Sequence, residues 1–384
     1  MPLRILIAVT HLLGAGHLTR AAAIGRALAD AGHAVTLVSG GRPVPLIRTA
    51  GLDVVQLPPV RAAAHDLRTL LDEDGEPAGP AHLAIRREML ALTLRKARPD
   101  VVVVELFPFG RRSLHDEFTA LLESALAQRP RPVVACSIRD ILAAPSSAAK
   151  AERTHAVIKD AFDAVLVHAD PRVIRLDESW PVDDALRSFL HYTGFVDGEP
   201  DPPPSLEPQA GSVVVSGGSS EAGLPLYRAA IDAATLGPDR DWLILAGHGV
   251  PERDVALLRA TAPPNASVER ASPEFRRLLA GVGAFVGQSG YNTCMDVLAS
   301  RVRAVLVPFE GNGETEQRMR AERLAAAGLA IILPEAELSA AALLAAVEGA
   351  LVAPPPPASR IDRGGLAETV RILEKLAASR AAAG

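Results

Sequence analysis

Ser212-Val213-Val214-Val215-Ser216-Gly217-Gly218-Ser219-Ser220 is the stretch on which the architecture turns. Three β-branched residues in succession make a short, wholly apolar run, the pattern of a strand covered on both faces. The run breaks at two glycines and two serines, and a helical pattern follows. Glycine lets the backbone approach a ligand closely, serine hydroxyls donate hydrogen bonds, and a helix start presents free N–H groups. Ser216, Gly217, Gly218 and Ser219 together therefore read as a cradle for phosphate. An ordinary tight strand-to-helix turn would give the same Gly-Gly pair.

Two further turns repeat the design. The apolar run 284–287 leads into Gln288-Ser289-Gly290-Tyr291-Asn292-Thr293, which again opens a helix. Asp296 follows Gly290 by one and a half helical turns, and a carboxylate accepts two hydrogen bonds from a pair of ribose hydroxyls. A solvated aspartate favoured by the helix dipole is the plainer reading. The run 305–307 leads into Pro308-Phe309-Glu310-Gly311-Asn312-Gly313-Glu314-Thr315-Glu316-Gln317. Glu316 and Gln317 are suited to sugar hydroxyls, or equally to a helix start. One such turn is a weak signal. Three at successive strand ends of one parallel sheet face one site.

Outward from these turns, short apolar runs alternate with Ala/Leu-rich helical segments along the whole chain. In the first half the runs are 5–9, 34–38, 54–57, 101–105, 133–137 and 164–168; in the second, 212–216, 242–246, 284–287, 304–307 and 330–333. This alternation predicts an α/β protein of two doubly wound, Rossmann-like domains, with ligands in the cleft that the two domains face. Residues 1–197 form the first domain and 212–353 the second. The Pro-rich stretch 198–211, with Pro202-Pro203-Pro204, joins them. A second proline run at 354–357 precedes a last helix within 358–384, expected to pack back on the first domain.

The first strand runs into Thr10-His11-Leu12-Leu13-Gly14-Ala15-Gly16-His17. A dinucleotide fingerprint fails here, because Thr19 stands at the third glycine position and Ser39-Gly40-Gly41-Arg42 replaces the ribose-binding acid. Gly14 and Gly16 shape the turn. A neutral imidazole at His17 can take a proton from a hydroxyl, or simply cap the helix. Glu105, Arg111, Arg139 and Asp140 follow strands of the same sheet. They either reach a ligand or form a salt-bridge network beneath the loops.

The bulk properties narrow the class. The chain has 384 residues, 48% hydrophobic and 22% charged, which suffices for two folded cores. A net charge of -5 argues against a nucleic-acid partner. Two cysteines without C-x-x-C spacing fit neither a disulfide framework nor a zinc site. No apolar stretch reaches membrane-spanning length, and the N-terminus reads as a strand rather than a signal segment, so a cytoplasmic protein is expected.

The block Ser289-Gly290, Asp296, Pro308 and Glu316-Gln317 resembles glycosyltransferase family 28, which contains an N-acetylglucosaminyltransferase of peptidoglycan synthesis. The resemblance is best over 212–333 and covers most of the chain more weakly. It implies a GT-B fold, a nucleotide-sugar donor (uridine most often), a hydroxyl acceptor, inversion, and no metal or other cofactor. It implies that Gly217, Gly218 and Ser219 hold the diphosphate with Ser216, Asn292 and Thr293 beside it, and that Asp296 holds the ribose. Glu316 and Gln317 would hold the sugar. The nucleobase would lie along 269–271, which includes Arg270, and Gly14, Gly16 and His17 would face the reaction centre. The chain departs from the family in having Asp at 296 instead of Glu, and Gly-Ala-Gly-His instead of Gly-Gly-His. Its acceptor-side segments are also unlike those of the peptidoglycan enzyme, so the acceptor is not carried over. A nucleotide-sugar hydrolase or epimerase, and a non-catalytic nucleotide-sugar binding protein, are the alternatives. Asp72-Glu73-Asp74 offers a paired-carboxylate pattern for a metal but reads as a solvated loop. The basic segment 83–98 reads as a helix packed on the sheet, or as a peripheral membrane contact.

Overall fold

A computed structural model describes residues 1–45, 47–63, 66–203, 209–311 and 314–383. The chain divides into two units, Met1–Gly198 with Ile361–Gly384, and Glu199–Arg360. Among the described residues no helix is long and apolar enough to cross a membrane.

The first unit is built on a parallel sheet of β1 (Arg4–Val9), β2 (Ala34–Ser39), β3 (Asp53–Gln56), β6 (Val101–Glu105), β7 (Val133–Arg139), β8 (Ala164–His168) and β9 (Leu190–Tyr192). A small antiparallel pair, β4 (Arg61–Ala63) and β5 (Asp66–Leu71), lies outside it. The sequence reading missed this pair and β9. Helices α1 (Gly16–Asp30), α2 (Pro80–Ala97), α3 (His115–Leu126), α4 (Ala148–Ala161) and the short α5 (Asp184–Arg187) connect the strands. Val101 to Val104 are all buried, so both faces of β6 are covered, which is why the strand reads as an unbroken apolar run. Each such valine contributes roughly 1.5–3 kcal/mol on full burial. Leu18, Ala21, Ile24 and Leu28 place one stripe of α1 in this core. Ile372, Leu373 and Ala377 of the C-terminal helix α12 (Gly365–Ala383) join the same core.

The strand order β3-β2-β1-β6-β7-β8-β9 reverses direction between β1 and β6. The loops after these two strands diverge to opposite faces, leaving a crevice at their carboxyl ends.

The second unit repeats this plan with β10 (Gln209–Ser216), β11 (Trp242–Ala246), β12 (Ala266–Arg270), β13 (Val282–Gly287), β14 (Ala304–Leu306) and β15 (Ile331–Ile332), in the order β12-β11-β10-β13-β14-β15. Its helices are α6 (Leu224–Leu236), α7 (Glu252–Thr261), α8 (Phe275–Leu279), α9 (Tyr291–Ser300), α10 (Glu316–Ala326) and α11 (Ala340–Val352). The reversal here lies between β10 and β13. β10 begins at Gln209, inside the stretch read as linker, and residues 204–208 of that stretch lie outside the described residues. The polar edge strand β12 carries no long apolar run, which is why its sequence does not read as a strand.

Two segments singled out in the sequence take the following local structure. Asp72 accepts the backbone N–H groups of Asp74 and Glu76 at 3.0 Å each, the work of a turn carboxylate. On α2, Arg87, Arg95, Lys96 and Arg98 are exposed beside Ile85 and Leu92, but Arg86 is fully buried. Arg86 is not part of a basic surface. It forms a two-pronged ion pair with Glu117 and donates to the carbonyls of Gly40 and Pro58, fastening the loop after β2.

Candidate active site

In the first unit the turn after β1 brings His17 into the first turn of α1. Ala15 caps that helix without a side-chain hydrogen bond, and no acid stands in its first turn. Parallel pairing of β1 with β6 sets Glu105, the last residue of β6, beside it. His17 Nδ1 lies 2.8 Å from Glu105 Oε1. The Glu105 side chain is fully buried, whereas that of His17 is 15% exposed. Arg20, one helical turn beyond His17, donates to the same carboxylate oxygen.

The charges can be assigned. Burial opposes ionisation of Glu105, but Arg20 and the hydrogen bonds from His17 and Ser137 outweigh it and hold the carboxyl well below its usual range. Burial, with the nearby Arg111 charge, pushes the His17 imidazole down to about 3. An ionised carboxylate has no proton to give, so the 2.8 Å contact requires a proton on His17 Nδ1. The neutral ring then carries its lone pair on Nε2, which has no partner among the described residues. A neutral imidazole with one nitrogen fixed by a carboxylate and a lone pair on the other can accept a proton from a hydroxyl.

Arg111 and Leu106, in the loop after β6, have φ of 62° and 71°. Left-handed backbone costs a non-glycine residue about 1–2 kcal/mol, so this loop is held in shape by its surroundings. Arg111 donates through Nε to the Thr10 carbonyl, joining the loops after β1 and β6. Its guanidinium is lowered to about 10 by burial, with Arg139 and Arg20 adding repulsion and Glu105 opposing. Arg139 donates to the Ile141 carbonyl at 3.2 Å. Asp140 is fully buried. Gly14 and Gly16 lie in the turn itself, where Gly16 opens α1.

In the second unit Ser216 pairs in register with Gly287, so the turns after β10 and β13 are neighbours. Gly218 has φ of 77°, and a side chain there would meet nothing closer than Gln288 Oε1 at 4.0 Å. Gly217 donates its N–H to the Tyr227 hydroxyl at 3.0 Å, which fixes the turn from beneath. Ser219 is exposed, and neither its hydroxyl nor that of Ser220 has a partner among the described residues. Across from them, α9 starts at Gly290 without a side-chain cap and without an acid in its first turn. The half-buried side chains of Asn292 and Thr293 are likewise unpaired among the described residues. The two turns thus present amide and hydroxyl donors at one switch point, an arrangement suited to a diphosphate.

The remaining candidates are held more tightly. Ser289 is fully buried, and its hydroxyl donates to the Gln317 carbonyl at 2.8 Å. Glu316 is buried and paired at 2.8 Å with Arg320, which donates to the Ser289 carbonyl at 2.7 Å. Gln317 accepts the Phe309 N–H at 3.2 Å. Ser289, Glu316 and Gln317 therefore join the third turn to the second. Asp296 receives Arg276 Nε at 2.8 Å, and Arg276 also donates to the Glu199 carbonyl at 2.6 Å. Arg270, at the end of β12, donates to the carbonyls of Gly247 and Val250 at 2.8 Å each and pairs with Glu252 at 2.6 Å.

Sequence reasoning missed three contributors: Arg20, Ser137 and Gly247. Only Gly247 leaves a local signal, the Gly247-His248-Gly249 turn closing β11. A Cβ on Gly247 would overlap the Gly218 carbonyl and stand 2.7 Å from Ser219 Cα. Gly249 donates to the Ser219 carbonyl at 3.0 Å. Gly247→Ala is expected to displace the phosphate turn, costing about 1–3 kcal/mol in stability. Nucleoside diphosphate affinity is expected to fall at least about tenfold, the loss equivalent to 1.4 kcal/mol. Urea unfolding and ligand titration measure the two effects; an unchanged dissociation constant contradicts this role.

Comparison with known proteins places a family likeness in the second half of the chain. Residues 212–370 match the glycosyltransferase family 28 C-terminal domain. Over 149 residues the chain is 29% identical to UDP-N-acetylglucosamine--N-acetylmuramyl-(pentapeptide) pyrophosphoryl-undecaprenol N-acetylglucosamine transferase of Lactiplantibacillus plantarum. That match spans 38% of this chain and 41% of the relative. The spinosyn forosaminyltransferase SpnP superposes with a TM-score of 0.65 at 18% identity, covering 98% of this chain and 99% of the other. The glycosyltransferase VinC, in complex with dTDP, gives 0.63 at 17% identity, covering 98% and 100%. With two parallel α/β units and these neighbours, the chain has the GT-B fold, and residues 212–370 match the glycosyltransferase family 28 C-terminal domain.

Proposed function

We propose that the chain is a glycosyltransferase that moves a sugar from a uridine diphosphate sugar to a hydroxyl acceptor, with inversion and without a metal. The observation that carries this reading is the pair of turns in the second unit. Open Gly218, with Ser219 and Ser220 hydroxyls that have no partner among the described residues, stands beside the uncapped start of α9, inside the stretch that matches the family 28 C-terminal domain. Amide and hydroxyl donors there stabilise the charge that develops on the departing diphosphate. His17, held by Glu105, takes the proton of the acceptor hydroxyl through Nε2. The acceptor oxygen bonds to the anomeric carbon as the bond to the diphosphate breaks, and one such displacement inverts the centre. Asp296 takes the ribose through the carboxylate edge that Arg276 orients, and Gln317 and Glu316 line the sugar side.

A thermal-shift panel of UDP, dTDP, GDP and ADP tests the donor site. A nucleotide at a hundred times its dissociation constant adds about 2.7 kcal/mol of stability. A selective response to UDP is expected, abolished in Asp296→Ala and weakened in Gly218→Val. The second variant places a side chain at φ of 77°, at a cost of about 1–2 kcal/mol. A selective response to dTDP would reassign the base. A response that survives both substitutions would overturn the site. Donor turnover without any acceptor would favour the hydrolase reading.

A further inference from the structure

The two oxygens of Glu105 are held differently. Oε1 serves His17 and Arg20, whereas Oε2 receives the Ser137 hydroxyl at 2.5 Å. Ser137 stands opposite Glu105 in the β6–β7 register. Its Oγ lies 3.0 Å from Nε2 of His168, the last residue of β8. His168 Nδ1 lies 2.9 Å from Thr193 Oγ1, which is also 2.7 Å from the Gly194 carbonyl. Ser137, His168 and Thr193 are all essentially without solvent contact.

Counting protons gives the chain a direction. Glu105 is ionised, so the single Ser137 proton goes to Oε2. Ser137 can then only accept from His168, so the proton of that ring is on Nε2. Burial lowers the His168 pKa to about 3, so the ring is neutral and its Nδ1 is an acceptor. Thr193 is the donor to it, sharing its proton with Gly194. The row Thr193, His168, Ser137, Glu105 therefore points one way, and hydrogen bonds in such a row reinforce one another in a low-dielectric interior. A buried polar row whose members satisfy one another rigidifies the groups it joins.

We propose that Ser137 and His168 are positioning residues for His17: by saturating Oε2 they fix the Glu105 carboxylate so that its other oxygen holds His17 as the Nδ1–H tautomer, leaving the ring's lone pair on Nε2. This rests on the reading of His17 as the base. Neither residue touches a substrate, so the expected signature is a loss in turnover and in tautomer purity without a loss in donor binding.

Ser137→Ala removes one oxygen and adds no bulk, and Ser137→Thr restores the hydroxyl. In the unsubstituted protein, ring nitrogen shifts of His17 are expected to report a single Nδ1–H tautomer. In Ser137→Ala they should report a mixture, with kcat lower by about ten- to hundredfold and the KM for donor within about twofold. Ser137→Thr should recover most of both. Wild-type shifts and wild-type kcat in Ser137→Ala would overturn the proposal. So would a Ser137→Thr variant as impaired as Ser137→Ala. His17→Ala, measured alongside, separates the two levels. If it transfers sugar normally, the reading of His17 falls and the proposal with it. If it is inactive while Ser137→Ala is normal, only the proposal falls.

Discussion

His17→Ala is expected to slow sugar transfer by about 10²- to 10⁴-fold, the range associated with loss of a positioned general base. Its nucleotide-induced thermal shift should remain that of the unsubstituted protein. The ring is held at Nδ1 by Glu105, its Nε2 has no partner among the described residues, and it lies in the first unit, whereas the proposed nucleotide-binding turns belong to the second. Glu105→Gln is the less clean test. It would leave Arg20 buried without its carboxylate, and an uncompensated buried charge costs about 3–5 kcal/mol. The pH profile adds a second check. The His17 imidazole titrates near 3, so it stays deprotonated throughout pH 5–8. Acidification over that range should therefore not remove the base by protonating it. A kcat that falls with an apparent pKa near the ordinary histidine value of about 6.5 would contradict the buried, neutral ring.

Acidification should instead remove the fold. Burial, the largest cause in each case, lowers His11 to about 4 and both His17 and His168 to about 3. In the unfolded chain all three rings take a proton near pH 6.5. Above that pH neither state is protonated and the rings make no pH-dependent contribution. Below it the unfolded state binds up to three more protons than the native state, so stability falls as pH falls. Each extra proton costs about 1.4 kcal/mol per pH unit, and the three together remove about 5 kcal/mol between pH 7 and pH 5. Glu105 adds to the loss at lower pH. Its native pKa is depressed, so the stability it contributes above its unfolded pKa is lost as that group too becomes protonated in the unfolded chain. A loss of about 5 kcal/mol is comparable to the whole stability of many domains. All three histidines lie in the first unit, so that unit should unfold first. Urea midpoints at pH 7, 6 and 5 measure this. Midpoints independent of pH would show that these rings are charged or hydrated in the native state.

Much of the fold was legible because strand and helix signals are local. Runs such as 101–105 are apolar without alternation, and the turns at Ser216–Ser219 and Ser289–Thr293 break them with residues chosen for their backbone and donors. Where the signal was not local, the reading stopped. The edge strand β12 and the strand β4 lack long apolar runs, and each keeps partly exposed residues. Arg86 read as one basic residue among several on a helix surface, yet it is fully buried against Glu117, a partner 31 residues away that no periodicity announces.

The sequence by itself determined which residues stand at strand ends: His17 after β1, Glu105 at the end of β6, Gly217 and Gly218 after β10, and Gly290 before α9. Tertiary structure decided what each of them meets. His17 and Glu105 are 88 positions apart and become partners because β1 pairs with β6 at the point where the sheet order reverses. The same long-range pairing ties Ser289 and Glu316 into the framework while leaving the side chains of Ser219, Asn292 and Thr293 without partners among the described residues. Hydrogen-bond partners of side chains are set by which strands lie side by side, and strand order is a property of the assembled sheet rather than of any one segment of chain.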